Sequence, residues 1–423
     1  MHNTETKLSK TLKYGSLLLF PLRDAFGFYL GTTPLRLGEL WTVFYSLFIL
    51  LSPKIRKKEA PIVAFLLMNL FLVFAGLFIG QGNFDQGFAM KYILRNVLNL
   101  FLICGFLCSS IAFSNQDVDR MMKYSFFVQL CAFVLLYGTH HYLYMSELLN
   151  WNNILASGQV INFGGVTIPR FLGTSSEPGY LAAFLPMLLY YFLRSNIKHR
   201  SFYISATCLM VVSTFSAAVY IATAFVFFTF SADTGLKKKY LLGVILAILG
   251  VSLIYLFSND VQNMVNRMVF EKVVSMISGN KFDYSATERN LHIKNAIRVF
   301  ESSDVIQTIF GRGTGGYLYN TLHFGSGLYS YDVEEAYNLY LSTLVDRGII
   351  GLVLIIALFV ILRNHVVRKD IFSESIFVGI LLQFFHWTIT GNLWQYYFWT
   401  EIVFLFGYYR WKLGQERNCT QYE

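Results

Sequence analysis

Long apolar runs dominate this sequence and constrain its fold more than any motif does. Segments such as 61–79 and 345–362 approach the ~20 residues that an α-helix needs to cross ~30 Å of hydrocarbon. Of the 423 residues, 55% are hydrophobic and 14% are charged, whereas about a quarter of the residues in a soluble domain are charged. We therefore predict an all-α polytopic membrane protein.

The apolar runs predict twelve membrane-spanning helices. Lys and Arg fall mainly in short segments on one side of the predicted membrane, for example at 54–58 and 237–239. Because short cytoplasmic segments are enriched in these residues, both termini are predicted to be cytoplasmic. The net charge of +9 is then an orientation signal, and no nucleic-acid partner is needed to explain it. The predicted spans are 14–28, 38–52, 61–79, 92–113, 121–144, 176–194, 202–215, 216–231, 240–257, 345–362, 371–388 and 394–409.

Two predicted outer loops are longer than the rest. The first 257 residues are expected to hold nine helices and a smaller outer loop at 146–175. Residues 258–344 form a large extracytoplasmic loop, because long loops translocate largely regardless of their charge. Residues 345–423 complete the chain with three helices and a cytoplasmic tail. The five cysteines show no spacing typical of a disulfide framework, and no cleavable signal peptide is expected.

The large loop is predicted to contain a helix. Leu291, Ala296, Ile297 and Phe300 recur at near-helical spacing, and Thr287 is a suitable N-cap for the segment. The glycine-rich stretch "IFGRGTGGY" follows. It lacks the Lys-Ser/Thr of a nucleotide-binding P-loop, so a bend that packs close to the membrane is the better interpretation.

Arg170 and Glu177 stand immediately before a predicted span, in "IPRFLGTSSEPGYLA". Glu177 suits the first turn of a helix, but a helix N-terminus does not favour a neighbouring Arg. An anion between them would resolve this conflict. That anion is either Glu177 itself or a ligand phosphate, whose geometry matches the planar fork of Arg. Whether Glu177 serves a cap, an ion pair or a substrate stays open.

Carboxylates also flank the exit from the large loop. Glu334 and Glu335 suit a helix start, and either could act as a general base near loop arginines. Asp346 and Arg347 follow within "AYNLYLSTLVDRGIIGL" and are expected to pair with each other or to snorkel to the membrane interface.

Three motifs, in this order, resemble the O-antigen and capsule repeat-unit polymerase/ligase superfamily, which includes the Wzy-type polymerases. The first is R-x2-G-x3-EPGYLA at Arg170. The second runs from "ERNLHIKNAI" to "IFGRGTGGY" at Arg289–Tyr317, and the third is "AYNLYLSTLVDRGIIGL" at Ala336–Leu352. Together they touch about half of the chain, and each motif is degenerate on its own.

The resemblance implies glycosyl transfer on the outer face of a bacterial plasma membrane. Donor and acceptor are oligosaccharides carried on undecaprenyl pyrophosphate, with the lipid bilayer and a chain-length regulator as further partners and with no cofactor or metal. Arg170 and Arg289 match functional arginines of the family and are assigned to the pyrophosphate. Further residues expected to bind substrate are Glu177, Arg298, Arg312, Tyr337 and Asn338.

One departure from the family pattern favours a polymerase over a ligase. Ligases of this superfamily typically have His-Asn where this chain has Tyr337-Asn338. If a base is needed, Glu335 is the first candidate and His323 the second.

Two other functions fit the sequence less well. A sugar-nucleotide transferase would need a metal-binding Asp-x-Asp, and the one at Asp117–Asp119 lies in a short predicted cytoplasmic connector, where a polar connector is the better reading. A flippase or transporter often has related halves and polar groups near the bilayer midplane. Here the charged residues gather outside the spans, which favours an enzyme.

Overall fold

The computed structural model describes most of the chain outside the segment 234–283. The chain divides into two compact units, one formed by Met1–Tyr124 and Leu291–Glu423 and the other by Ser125–Asn290. The described residues are 7–22, 27–30, 33–51, 55, 59–79, 86–138, 160–163, 166–175, 178–233, 284–324, 336–388 and 396–420.

The first unit is built mainly from apolar helices. It also contains a two-stranded antiparallel hairpin of β1 (Gly27–Leu30) and β2 (Thr33–Arg36), in which Phe28 pairs with Leu35. Its helices before the second unit are α1 (Lys7–Leu19), α2 (Leu37–Val43), α3 (Ser46–Leu51), α4 (Ala60–Ile79), α5 (Gln86–Cys108) and the start of α6 (Asn115–Gly138).

The second unit continues from α6 into a second antiparallel hairpin, β3 (Val160–Phe163) and β4 (Val166–Pro169). A short 3-10 helix at Pro178–Ala182 precedes the next helices. These are α7 (Phe184–Arg194), α8 (Arg200–Ser213), α9 (Ala217–Asp233) and the first residues of α10 (Tyr284–Glu301).

The chain returns to the first unit along α10. The remaining helices of that unit are α11 (Val305–Phe310), α12 (Gly316–Phe324), α13 (Leu339–Ile361), α14 (Ile371–His386) and α15 (Tyr396–Thr420), with a π-helical turn at Leu362–Val366.

The predominance of apolar helices agrees with the predicted α-helical membrane class. Two described helical segments, Ala89–Cys108 and Leu339–Asn364, are long and apolar enough to cross a membrane, and shorter apolar helices occur in the rest of the described chain. The predicted count of twelve spans is not confirmed by these helices, and the predicted span 240–257 lies outside the described residues.

Three predicted boundaries are wrong. The span predicted at 14–28 is replaced by α1, which gives way after Leu19 to a 3-10 turn containing Pro21 and then to β1. Proline cannot donate a backbone hydrogen bond in a helix interior and clashes with the preceding turn. The span predicted at 38–52 is broken into α2 and α3. The one predicted at 176–194 becomes α-helical only from Phe184, after the 3-10 helix at Pro178–Ala182.

The predicted loop helix is present as α10. Thr287 is not its N-cap, since the helix already begins at Tyr284. Ala296 lies in a small hydrophobic cluster against which Phe300 packs, whereas Ile297 is exposed. The spacing therefore predicted the helix correctly but included one residue that faces outward. The other members of the cluster are Val299, Tyr317, Ala336 and Val345, and Leu341 also packs against it.

The Asp-x-Asp segment is used inside the protein. Asp117 accepts hydrogen bonds from the backbone and hydroxyl of Ser114, both at 2.8 Å, and forms an ion pair of 2.8 Å with Lys13. Burial opposes the ionisation of Asp117, but these bonds outweigh it and lower its pKa. Asp119 pairs with Lys123 at 2.7 Å. Both carboxylates lie at the start of α6 and have structural partners, Asp117 with Lys13 of α1 and Asp119 within α6.

A buried ion pair links the start of α4 to α15. The guanidinium of Arg410 contacts the Glu59 carboxylate through two bonds of 2.6 and 2.8 Å. The same guanidinium donates to carbonyl oxygens at the end of α5 and just beyond it, at Phe106, Leu107, Ser109 and Ile111. Carbonyls in the last turn of a helix lack the usual partner four residues on, and Arg410 supplies a donor to those of Phe106 and Leu107.

Replacing Glu59 by Gln should lower the free energy of unfolding by ~3–5 kcal/mol, because it leaves the Arg410 charge buried without its counter-ion. Thermal unfolding in detergent micelles measures this loss. Glu416 provides a matched control, since it forms an exposed ion pair of 3.6 Å with Arg368. Glu416→Gln should cost less than ~1 kcal/mol. Equal losses in the two variants would contradict the importance of the buried pair.

Candidate functional site

Arg170 caps the carboxyl end of α8 in the second unit. Its Nε donates to the carbonyl of Thr214 at 3.2 Å and its Nη2 to the carbonyl of Phe215 at 3.0 Å. The next backbone N–H, that of Phe171, donates to Ser213 at 2.7 Å. A helix C-terminus carries partial negative charge and unpaired carbonyls. The half-buried guanidinium is therefore held in place by carbonyl oxygens of the protein.

The loop that carries Arg170 is fixed to α6. The side-chain amide of Gln129 donates to the Thr174 hydroxyl at 2.8 Å and accepts from the Thr174 backbone at 3.2 Å. Gly173 has a φ of +58°, and a Cβ on it would meet the Gln129 side chain at 2.0 Å. Tyr137 also donates to the Pro169 carbonyl at 2.8 Å. This loop is built to hold one conformation.

The glycine-rich bend in the first unit lies against two apolar helices. Gly311, Gly313 and Gly315 have φ values of +84°, +92° and +87°, which residues with a Cβ rarely adopt. The Gly313 N–H donates to the backbone of Asp346 on α13 at 3.0 Å. A Cβ on Gly76 of α4 would lie 2.4 Å from the Gly313 Cα. The stretch thus forms a bend that packs closely against these two helices, and its predicted closeness to the membrane stays a prediction.

The carboxylate of Asp346 binds the amino end of α12. It accepts from the backbone N–H groups of Tyr317 at 3.0 Å and Gly315 at 3.3 Å. An anion is favoured at a helix N-terminus, and here the protein supplies it. Arg347 is also buried, and it donates to Asn69 of α4 at 3.2 Å. Snorkelling of these two side chains is therefore a wrong prediction, because both are buried.

Arg312 ties the glycine-rich bend to its neighbours. Its Nε donates to Ser303 at 3.0 Å, its Nη1 to Asn320 at 3.0 Å and its Nη2 to Ser302 at 2.8 Å. Burial lowers the pKa of Arg312 below its usual value, and the charge of Asp304 partly offsets this effect. The geometry assigns these three guanidinium nitrogens to neutral groups of the protein.

The other predicted site residues differ in burial, and some lie outside the described part of the structure. Arg289 is half-buried on α10, and Arg298 is exposed near the end of the same helix. His323 lies in α12, but its side chain is outside the described part of the structure. Glu177 and Glu335 lie outside the described residues altogether.

Tyr337 and Asn338 lie at the start of α13. The Asn338 side chain accepts from the Leu341 N–H at 3.0 Å and thereby caps the helix. It also donates to the Thr388 carbonyl at 3.0 Å. Tyr337 has a φ of +50°, a conformation that costs ~1–3 kcal/mol in a residue other than glycine. Such strain persists only where the surroundings impose it, and here the cap and its contact with Thr388 do so.

His292 of α10 was not predicted as a site residue. Its Nδ1 shares a hydrogen bond of 2.6 Å with the Tyr317 hydroxyl, and both side chains are buried. Its ring lies 5.5 Å from that of Tyr337 in an edge-to-face arrangement. His292 stands three residues after Arg289 on α10, so both belong to one helical face. The spacing of Arg289 and His292 can be read from "ERNLHIK", but the contacts of His292 with Tyr317 and Tyr337 cannot.

Replacing Tyr317 by Phe should destabilise the protein by ~1–3 kcal/mol, because a buried His292 nitrogen loses its hydrogen-bond partner. Thermal unfolding of the purified protein in detergent measures the change. Tyr14 is exposed on α1, so Tyr14→Phe serves as the control and should shift the free energy by less than ~0.5 kcal/mol. An unchanged stability of Tyr317→Phe would show that the pair contributes little.

Comparison with known proteins adds one finding. A family described as O-antigen ligase matches residues 202–356, a segment that contains Arg289, the glycine-rich bend and Asn338. No curated protein matches the chain. The match and the apolar helices together support a membrane protein of polysaccharide assembly. The matched segment is similar to this family, and the match does not distinguish a polymerase from a ligase.

Proposed function

We propose that the protein is a glycosyltransferase that polymerises oligosaccharide repeat units carried on undecaprenyl pyrophosphate. The product is an O-antigen, capsule or exopolysaccharide, assembled on the outer face of the bacterial plasma membrane. Both termini are then cytoplasmic, and the loop at 258–344 lies outside. A chain-length regulator is a further proposed partner.

The polymerase assignment rests on Tyr337, the residue immediately before the N-cap of α13. Tyr337 stands where ligases of the superfamily have the histidine of a His-Asn pair, and Asn338 is retained as the helix cap. The strained backbone at Tyr337 keeps its ring beside His292. A phenol replaces the imidazole at this position, which favours transfer to a lipid-linked sugar acceptor over transfer to a lipid A core.

The proposed reaction is a displacement at the anomeric carbon of the donor. The acceptor hydroxyl oxygen forms a bond to that carbon, and the bond from the carbon to the pyrophosphate oxygen breaks. The electron pair leaves with the lipid pyrophosphate, and the hydroxyl proton passes to a base. Because the leaving group is already activated, the protein mainly has to neutralise its charge and position the acceptor. No metal enters the proposal.

Arg170 and Arg289 are proposed to bind the pyrophosphate. Arg170 is suited to this task because carbonyl oxygens fix two of its nitrogens before any substrate arrives. A pre-positioned cation stabilises developing negative charge without reorganisation. Arg289 lies within the segment matched by the family.

Other residues are proposed to support the substrate. Arg298 and Arg312 add positive potential that attracts an anionic lipid, and Arg312 also anchors the bend through its three bonds. Glu177, Tyr337 and Asn338 complete the proposed binding residues. Glu335 is the first candidate for the base and His323 the second.

A ligase is the second candidate function, since the matching family is described as O-antigen ligase. A repeat-unit flippase is a third possibility from another class. The three functions predict different intermediates, so one experiment separates them.

Arg170→Ala and Arg289→Ala, made separately in cells that produce the cognate polysaccharide, should each reduce polymerisation by about 100-fold or more, the usual effect of losing one charge-stabilising donor. Gel analysis of the surface polysaccharide should then show single repeat units without long chains. Arg→Lys at either position should also be impaired, because Lys lacks the planar fork.

Lys294→Ala is the matched control, because Lys294 is an exposed cation on the same helix as Arg289. It should leave chain lengths unchanged. Normal chain lengths in both Arg→Ala variants would refute the assignment. Repeat units trapped in the cytoplasm would identify a transporter, and polymer retained on the carrier lipid would identify a ligase.

A further inference from the structure

Helix α11 presents an exposed apolar face. Val305, Ile306 and Ile309 are 75%, 58% and 39% exposed. Clusters of exposed apolar side chains of this kind mark a surface that contacts a partner or a membrane.

The polar side chains of α11 form hydrogen bonds with the residue that caps its N-terminus. The Gln307 N–H donates to the Asp304 carboxylate at 2.8 Å, and the Gln307 side chain accepts from the Asp304 N–H at 3.4 Å. The Thr308 hydroxyl donates to the Asp304 carbonyl at 2.8 Å. This capping box stabilises the start of the helix. The outward surface of α11 is thus left to its apolar side chains.

The position of α11 is fixed by the helices against which it packs. It contacts α13 and α4, and both are strongly apolar. Gly348 of α13 has a φ of +64°, and a Cβ there would meet the Ile309 carbonyl at 2.3 Å. The Gly313 N–H holds the following bend to Asp346. The exposed face of α11 therefore has a defined orientation relative to a candidate membrane span.

The exposed residues of α13 form one stripe. Ile349, Val353, Ile356 and Val360 are all exposed, and their spacing of four, three and four places them on one face of the helix. α4 carries an equivalent exposed stripe at Leu67, Phe71, Phe74 and Phe78. In a helix that crosses a membrane, such a stripe faces the acyl chains. Ile309 lies beside the start of the α13 stripe, because its carbonyl contacts Gly348.

We propose that α11 is an interfacial helix that inserts Val305, Ile306 and Ile309 among the acyl chains at the membrane surface. The occupant of this face is the lipid bilayer, since the face continues the apolar stripe of α13. Exposed polar residues immediately precede α11, at Glu301, Ser302 and Asp304, where they would meet the headgroups. The glycine-rich bend is thereby held at the depth of lipid phosphates.

This placement adds detail to the proposed function. Only the consequence for a lipid-linked pyrophosphate, given next, rests on that function. A loop anchored at phosphate depth keeps Arg312 near a lipid-linked pyrophosphate. The membrane contact of α11 does not itself require that the protein be a polymerase.

Spin-label accessibility in the full-length protein, reconstituted into phosphatidylethanolamine/phosphatidylglycerol vesicles, tests the proposal. Native cysteines are first replaced by Ser, and a nitroxide is attached at Val305→Cys or, separately, at Ile306→Cys. Val353→Cys on the α13 stripe and the exposed Lys294→Cys on α10 are the reference positions. Collision rates with oxygen, which enriches in acyl chains, and with a polar nickel chelate, which stays in water, are compared.

Both α11 labels should resemble the Val353 label, with oxygen collisions at least about 3-fold more frequent relative to the Lys294 label. Labels on α11 that behave like the Lys294 label would overturn the proposal. Dipolar broadening between α11 labels would also overturn it, because it would identify a second copy as the occupant. The measurement needs no turnover, so its outcome is independent of whether the Arg170 and Arg289 variants lose polymerisation.

Discussion

The carboxylate of Asp346 joins the glycine-rich bend to α13, and the geometry of the first unit near this bend depends on it. The carboxylate is buried in an apolar helix and must be satisfied by the protein. Backbone N–H groups of Gly315 and Tyr317 provide that satisfaction. The bend can approach so closely only because Gly311 lacks a side chain, since its Cβ would meet the backbone of Arg347 at 2.2 Å. The anion-binding capacity of the bend is thus used inside the protein, which explains why the glycines are not a phosphate cradle.

Helix α4 receives contacts at three levels, and together these explain how polar residues coexist with an apolar unit. Glu59, immediately before its first residue, pairs with Arg410. Asn69 in its middle accepts from Arg347, and Gly76 near its end contacts Gly313. Polar side chains within membrane helices are expected to pair across helices because lipid offers no partner. The bend is therefore supported from α4 as well as from α13.

The helical class and the loop helix α10 could be predicted from sequence because both depend on local patterns. Hydrophobic run length and a period of 3.6 residues are properties of neighbouring positions. The break after Leu19 was missed although Pro21 indicates it, since the apolar run was weighted above the proline. Helix boundaries at the loop, such as the true start at Tyr284, depend on tertiary contacts that local propensity does not include.

The candidate site was less predictable because its polar partners are distant in sequence. Arg170 meets carbonyls at Thr214 and Phe215, and His292 meets Tyr317. The sequence raised the question of what lies beside Arg170, and the anion predicted there stays a prediction. One described answer to that question was not considered, namely the end of α8, because no pattern in the chain reveals which helix terminus will lie beside a given arginine.

The arginines differ in whether the groups that bind them are charged or neutral, and this difference bears on the proposed function. Arg410 faces a carboxylate at 2.6 Å, so its positive charge is cancelled locally. The described partners of Arg170 and Arg312 are carbonyl, hydroxyl and amide oxygens, which carry no net charge. Neutral acceptors orient a guanidinium without adding a counter-charge of their own, and electrostatic interactions strengthen where water is scarce. The proposed binding of a departing pyrophosphate at a membrane surface needs a guanidinium fork that is fixed in this way. Arg170 shows it most directly, since helix-end carbonyls that would otherwise lack partners position it.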